Sequence, residues 1–306
     1  MNTDAPLDRS AHEAADRPAG RAAGGEPGGR AGLAELRAEL DAIDDGLHDL
    51  LMRRAAAVAR LAASGVKGGV ALRPGREASI IRRLLARNAG PLPSQAVVRL
   101  WRELLAASTA LQGPYSIAVC DAEAGSGYTA AAREHFGALT PIRVHGSPAQ
   151  ALADVSAGSA AAAVLPEPSE GEAPRDAWWT ALLQKDEPRI HVVARLPFWR
   201  PRPEGAPRAR AFVIAASAPD PSGRDRSLIG FDLDAGISRD RLTACLAAAG
   251  LPPEQTILRR DEDGRDGRVL ADVAGFVTDD DPRLAAAAPL LRRPVVLGAY
   301  ALPEGS

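Results

Sequence analysis

Apolar residues recur at steps of three and four from Leu33 onward: Leu36, Leu40, Ile43, Leu47, Leu50, then Val58 and Leu61. That spacing holds them on one stripe of coiled-coil period and predicts a single long helix. The glycines and proline of "SGVKGGVALRPG" break it. A shorter helix is predicted over 76–88, with Ile80, Ile81, Leu84 and Leu85 as its apolar face, and "AGPLP" ends it. Ser94 is placed to cap a third helix running to about residue 111, with Val97, Leu100, Trp101, Leu104 and Leu105 turned inward. After Gly113 and Pro114 the period changes. Short apolar runs ("YSIAVC", "PIRVHG", "AAAVLP") alternate with helical ones ("YTAAAREHFG", "SPAQALADVSAG"), which predicts an α/β domain. From about residue 226 the order is strand, helix, strand, strand, helix, strand, which suggests a small ferredoxin-like α+β sandwich.

Composition narrows the class. The chain has 306 residues, 46% of them apolar, and a formal net charge of −2. It is long enough for several cores, and no basic face points to a nucleic-acid partner. Cys120 and Cys245 stand far apart, without the spacing of a zinc site or a disulfide framework, so no metal is expected and the compartment reads as reducing. No apolar run of about eighteen residues marks a membrane span, and the polar start lacks a signal-peptide core. The expectation is a soluble cytoplasmic protein with a disordered tail over 1–31, rich in Ala, Gly, Arg and Pro.

Several polar residues interrupt the helical pattern. Arg54 falls on the apolar stripe, four residues after Leu50 and four before Val58. It reads either as an arginine snorkelling from a helix seam or as a ligand-binding residue. Arg37 flanks the same stripe seventeen residues earlier, roughly 25 Å away at about 1.5 Å per residue. One small ligand cannot reach both on one helix, but two antiparallel copies would bring Arg37 of one chain near Arg54 of the other. Ser108 and Gln112 share a face at i and i+4, a polar edge or part of a site. Lys67 lies in the glycine-rich connection. Arg76 and Glu77 open the second helix, where a glutamate complements the helix dipole in any case.

Taken in order, these positions resemble the all-helical chorismate mutase family over residues 33–112, in "LAELRAELDAIDDGLHDLLMRRAAAVARL", the loop Lys67, "LRPGREASIIRRLL" and "VVRLWRELLAASTALQ". The resemblance implies an intertwined homodimer of three-helix units. Arg37, reaching in from the partner, and Arg54 would bind the substrate's carboxylates. Lys67 would contact a carboxylate and the ether oxygen, and Arg76 would assist carboxylate binding. Glu77 would take the substrate hydroxyl, Ser108 would sit near a carboxylate or hydroxyl, and Gln112 would donate to the ether oxygen. The reaction it implies, chorismate to prephenate, is a pericyclic shift that needs no nucleophile, metal or cofactor. Fixed cations hold the dianion in its compact diaxial form, and donors at the ether oxygen stabilise charge as the bond breaks. Two departures stand out. The connection from Arg54 to Lys67 is about two residues longer than in family members, and Arg73 occupies a position that is aspartate in some of them.

The remainder is similar to a prephenate dehydratase domain, of periplasmic-binding-protein-like α/β architecture, followed by an ACT-like domain. "GSGYTAAAREHFG", "VLPEPSEG", "ARAFVI" and "VVLGAYAL" carry that similarity. The expected organisation is a tail (1–31), a mutase unit (32–113), a dehydratase-like domain (114–222) and an ACT-like domain (223–306). Against the dehydratase pattern Pro168 replaces an asparagine, Arg210 a threonine and Ala211 the following arginine, and the opening Gly-Pro pair is missing. "TILRRDEDG" stands where the ACT pattern has Glu-Ser-Arg-Pro. The expectation is therefore a chorismate mutase whose C-terminal half is retained as a scaffold. The alternatives are a bifunctional mutase–dehydratase and a non-catalytic sensor of aromatic metabolites.

Overall fold

A computed structural model describes residues 27–64, 72–123, 125–234, 236–260, 266–287 and 291–305. The chain divides into two units, Met1–Arg54 and Ala55–Ser306. Helix α1 (Pro27–Ala63) is 37 residues long and supplies the described part of the first unit through Arg54. It opens six residues before the first stripe leucine, inside the segment expected to be a tail, with proline in the first helical position, where its missing N–H costs nothing. Along it Leu33, Leu36, Leu40, Ile43, Leu47 and Leu50 are all exposed in the single chain, by 47–59%.

In the second unit, α2 (Pro74–Leu85) and α3 (Ser94–Ala110) follow. The expected capping serine is displaced by one position. Pro93 takes the extended cap conformation and Ser94 becomes the first helical residue, accepting instead from the Asn88 side chain at 3.4 Å. The buried faces of α2 and α3 meet Phe198: Ala78, Ile81, Val98 and Leu105 form one cluster with it, flanked by Trp101 and Trp199.

The described strands, numbered β1 to β9 in chain order, lie in one nine-stranded mixed sheet, ordered β2-β1-β3-β5-β4-β9-β6-β8-β7. Strands β1 (Ile117–Cys120), β2 (Ile142–His145) and β3 (Ala162–Pro166) are parallel, with α4 (Tyr128–Phe136) and α5 (Pro148–Ser156) as crossovers. Alternate residues serve opposite faces. Ala118, Ala163, Leu165, Phe212 and Ile214 pack with α5 and the 3₁₀ segment Trp178–Gln184. Ile117, Val119, Ala162, Val164 and Val213 pack with α4 and with Ala106 of α3.

Strands β4 (His191–Leu196) and β5 (Ala211–Ala215) are antiparallel. The last region runs β6 (Asp225–Asp234), α6 (Arg239–Ala248), β7 (Pro253–Arg260), β8 (Asp266–Ala274), α7 (Pro282–Ala287) and β9 (Arg292–Ala301). This is the element order read from the sequence, with strands arranged β9-β6-β8-β7 in antiparallel pairs over their own core. It joins the rest of the sheet where β9 meets β4 at Val192 and Gly298. Only glycine fits there: φ is +142°, and a Cβ would lie 2.0 Å from the Val192 carbonyl oxygen. No described helix is long and apolar enough to cross a membrane.

Candidate functional site

Arg37 and Arg54 lie on α1, in the first unit, with Arg37 exposed and Arg54 half-buried. Their separation along the helix is the roughly 25 Å expected from about 1.5 Å per residue. Lys67 lies outside the described residues.

In the second unit the stretch "LRPGREASII" is held from a distance. Pro74 and Gly75 start α2 and are buried, and no side chain of the helix's own cap residue, Arg73, satisfies the first N–H groups. Asp220, from the loop after β5, does so. Its Oδ1 accepts from the Gly75 N–H at 3.3 Å and its Oδ2 from the Arg76 N–H at 2.8 Å, while Arg73 Nε sits 3.4 Å from Oδ2. Gly75 permits this approach, since a Cβ there would fall 1.9 Å from the Asp220 carbonyl oxygen. Further along α2, Arg82 ion-pairs with Glu304 and donates to the Ser222 hydroxyl at 2.7 Å and the Leu302 carbonyl at 2.7 Å.

Arg76 keeps its side chain exposed. Glu77 does not: its Oε2 accepts from Arg102 Nη1 at 3.0 Å, with the side chains 12% and 5% exposed. Arg102 also lies over the Phe198 ring, 4.6 Å from its centroid, and 3.5 Å from His135 Nε2. Burial raises the Glu77 carboxyl, the Arg102 charge lowers it, and Asp220 raises it further, with a net upward shift. Burial and the neighbouring Arg102 charge push His135 well below the usual imidazole range, so it stays neutral and its Nε2 accepts. At the far end of α3, Ser108 Oγ donates to the Leu104 carbonyl at 2.5 Å and Gln112 Nε2 to the Ser108 carbonyl at 2.9 Å. The second unit thus joins Glu77 to a residue that sequence reasoning passed over. Arg102 was signalled by its spacing with Val98, Leu105 and Thr109, an arginine in register with a buried stripe, much as Arg54 is in register with the exposed apolar stripe of α1.

In the C-terminal half, Glu167 of "VLPEPSEG" is held by Arg195 and by Arg210 at 2.7 Å. The arginine in the threonine position is therefore committed to an ion pair, and Ala211 beside it is fully buried. Arg195 also meets the Tyr300 hydroxyl at 3.2 Å, and that hydroxyl donates to Asp272 at 2.6 Å. Arg226 closes the chain on Asp272 at 2.7 Å. Asp121 accepts from the Thr129 hydroxyl at 2.5 Å and from Ser126. Among the described residues, no group of His, Cys, Asp and Glu side chains could hold a metal ion.

Residues 36–113 match the family model described as chorismate mutase type II. A bifunctional chorismate mutase/prephenate dehydratase of Pseudomonas aeruginosa is 30% identical over 164 residues, covering 49% of this chain and 45% of that one. That similarity is longer than the helical match. The chain carries a segment similar to chorismate mutase type II. It spans less than half the length of that curated relative. Among solved structures, one titled a novel type of quorum quenching acylase overlays with a TM-score of 0.48 at 20% identity, covering 62% of this chain and 96% of its own. The prephenate dehydratase of Streptococcus mutans overlays at 0.44 with 13% identity, covering 62% and 99%. Overlays at those scores carry no functional information. Within the matched segment lie Arg37, Arg54, Arg76, Glu77, Ser108 and Gln112, together with Arg102.

Proposed function

We propose that the protein is a chorismate mutase, converting chorismate to prephenate without covalent catalysis. The observation that carries this reading is the ordered polar set within the matched segment: Arg37, Arg54, Arg76, Glu77 and Ser108 on the helices, and Gln112 in the turn just after α3. The cations neutralise and orient a dianion, and Lys67 and Gln112 stabilise charge developing on the ether oxygen. Glu77 has a second carboxylate oxygen beyond the one bound to Arg102, and that Oε1 takes the substrate hydroxyl.

The active form is a homodimer built on α1. A continuous leucine stripe half-exposed in the single chain favours a partner helix, and two arginines too far apart for one ligand favour a site that borrows Arg37 from the partner. The region after residue 222 is ACT-like in this reading, supported by its βαββαβ order and β9-β6-β8-β7 arrangement. We place the protein in the cytoplasm, in keeping with two free cysteines. A mutase–dehydratase is the second reading, favoured by the two activities named for the relative. Pro168, Ala211 and the Arg210–Glu167 pair speak against it.

One assay tests both. Chorismate loss and phenylpyruvate formation are followed together in wild type and Arg54→Ala. The expected result is mutase activity in wild type, lost by Arg54→Ala, and no phenylpyruvate from either. Full activity in Arg54→Ala overturns the site, and phenylpyruvate from purified wild type favours the second reading.

A further inference from the structure

Asp220 lies more than a hundred residues beyond the matched segment, yet it reaches the turn of α2 that carries Arg76 and Glu77. Three observations fasten it there. Its two carboxylate oxygens accept from successive N–H groups, Gly75 and Arg76, the orphan donors of a helix start whose own cap residue makes no side-chain hydrogen bond. Arg73 supplies the countercharge at 3.4 Å, on a carboxylate only 12% exposed. Gly75 leaves no room between helix and loop, so the contact sets the position of the α2 backbone rather than merely decorating it. A second fastening, from Arg82 to Ser222 in the same loop and to Glu304 after β9, limits the ways α2 can shift or rotate.

We propose that Asp220 is a positioning residue for the mutase reaction: it holds the first turn of α2 so that Arg76 and Glu77 present their side chains in the register the substrate needs. The inference rests on the chorismate mutase reading above. Arg76 and Glu77, in that reading, bind a carboxylate and a hydroxyl that are present in both the substrate and the transition state. Loss of their register therefore weakens both states together, which raises KM and leaves kcat nearly intact. A purely structural role for Asp220 does the opposite. It lowers the fraction of folded enzyme and so lowers apparent kcat, with KM unchanged.

The test uses the full chain, with steady-state kinetics on chorismate for wild type, Arg54→Ala, Asp220→Ala and Asp220→Asn, and circular dichroism on each. Asp220→Ala loses a helix cap and is expected to raise KM about five- to tenfold, with kcat within about twofold of wild type. Asp220→Asn keeps an amide oxygen that accepts from the Arg76 N–H and is expected to hold KM within about threefold, since asparagine caps about as well as aspartate. An unchanged KM in Asp220→Ala overturns the inference, as does a fall in kcat alone. If Asp220→Ala fails to fold, Asp220→Asn decides: its KM near that of wild type at full folding supports the inference, and a KM rise as large as tenfold overturns backbone capping as the mechanism. Failure of the function reading is separate and visible in the first two samples: wild type inactive, or Arg54→Ala fully active.

Discussion

Removing one member of the Glu77–Arg102 pair tests how the segment that matches the chorismate mutase model is held together. In Arg102→Met the Glu77 carboxylate keeps its buried site and loses the cation 3.0 Å away. Breaking a pair this buried costs roughly 3–5 kcal/mol, because the remaining charge is left uncompensated. With a urea slope near 3 kcal/mol/M, the unfolding midpoint falls by about 1–1.7 M. Glu77→Leu strands Arg102 in the same way and carries a similar cost. The double variant, Arg102→Met with Glu77→Leu, removes both charges and fills the space with apolar side chains, so it returns close to wild type. The pH dependence has a definite sign. Glu77 is already raised by burial, and loss of Arg102, which lowers it, raises it further. A carboxyl whose folded pKa exceeds the unfolded value contributes its stability below the unfolded value and loses it as pH rises through the folded one. The Arg102→Met deficit is therefore larger at pH 8 than at pH 5. The assay is urea unfolding followed by tryptophan emission, which reports the second unit because Trp101, Trp178, Trp179 and Trp199 all lie in it. A single-variant loss under about 1 kcal/mol refutes the reasoning, as does a double variant as unstable as the two losses summed.

Two further outcomes concern the neighbours of this pair. His135 is held neutral by burial and by Arg102, below its ordinary 6.5, so its contribution is present above pH 6.5 and is lost as pH falls toward the folded value, at up to about 1.4 kcal/mol per pH unit. Urea midpoints of wild type and His135→Gln between pH 7.5 and 5.5 check this, and parallel curves would refute it. Gly75→Ala reverses the usual sign of a helix substitution: alanine normally stabilises by about 1 kcal/mol, but here its Cβ meets the Asp220 backbone and is expected to cost about 1–3 kcal/mol. Thermal unfolding compares it with Gly46→Ala, where nothing lies within 4 Å and stabilisation is expected.

Local pattern made much of this protein legible. The three- and four-residue steps of the leucines are a property of one segment, and α1, α2 and α3 form where they predict, with ends shifted by a few residues where Pro27, Pro74 and Pro93 set the first turns. The βαββαβ order at the C-terminal end was readable for the same reason. Strand β4 was not, because "HVVARL" is short, lies between prolines and carries an arginine. That arginine is tolerated because Glu167, just past β3, and Tyr300 of β9 meet it.

The candidate site divides along the same line. Arg37, Arg54, Arg76, Glu77, Ser108 and Gln112 could be named from spacing and resemblance, since residue type and order are written in the chain itself. That Glu77 is bound to Arg102, that Arg102 rests on Phe198, and that Asp220 holds the turn before Glu77 could not be named. Each of these joins residues separated by 25 or more positions, and periodicity carries no information at that range. The sequence alone determined which helices form and which charges they carry. Only the tertiary structure decided which of those charges are buried, because desolvation and pairing depend on what the rest of the chain packs against them.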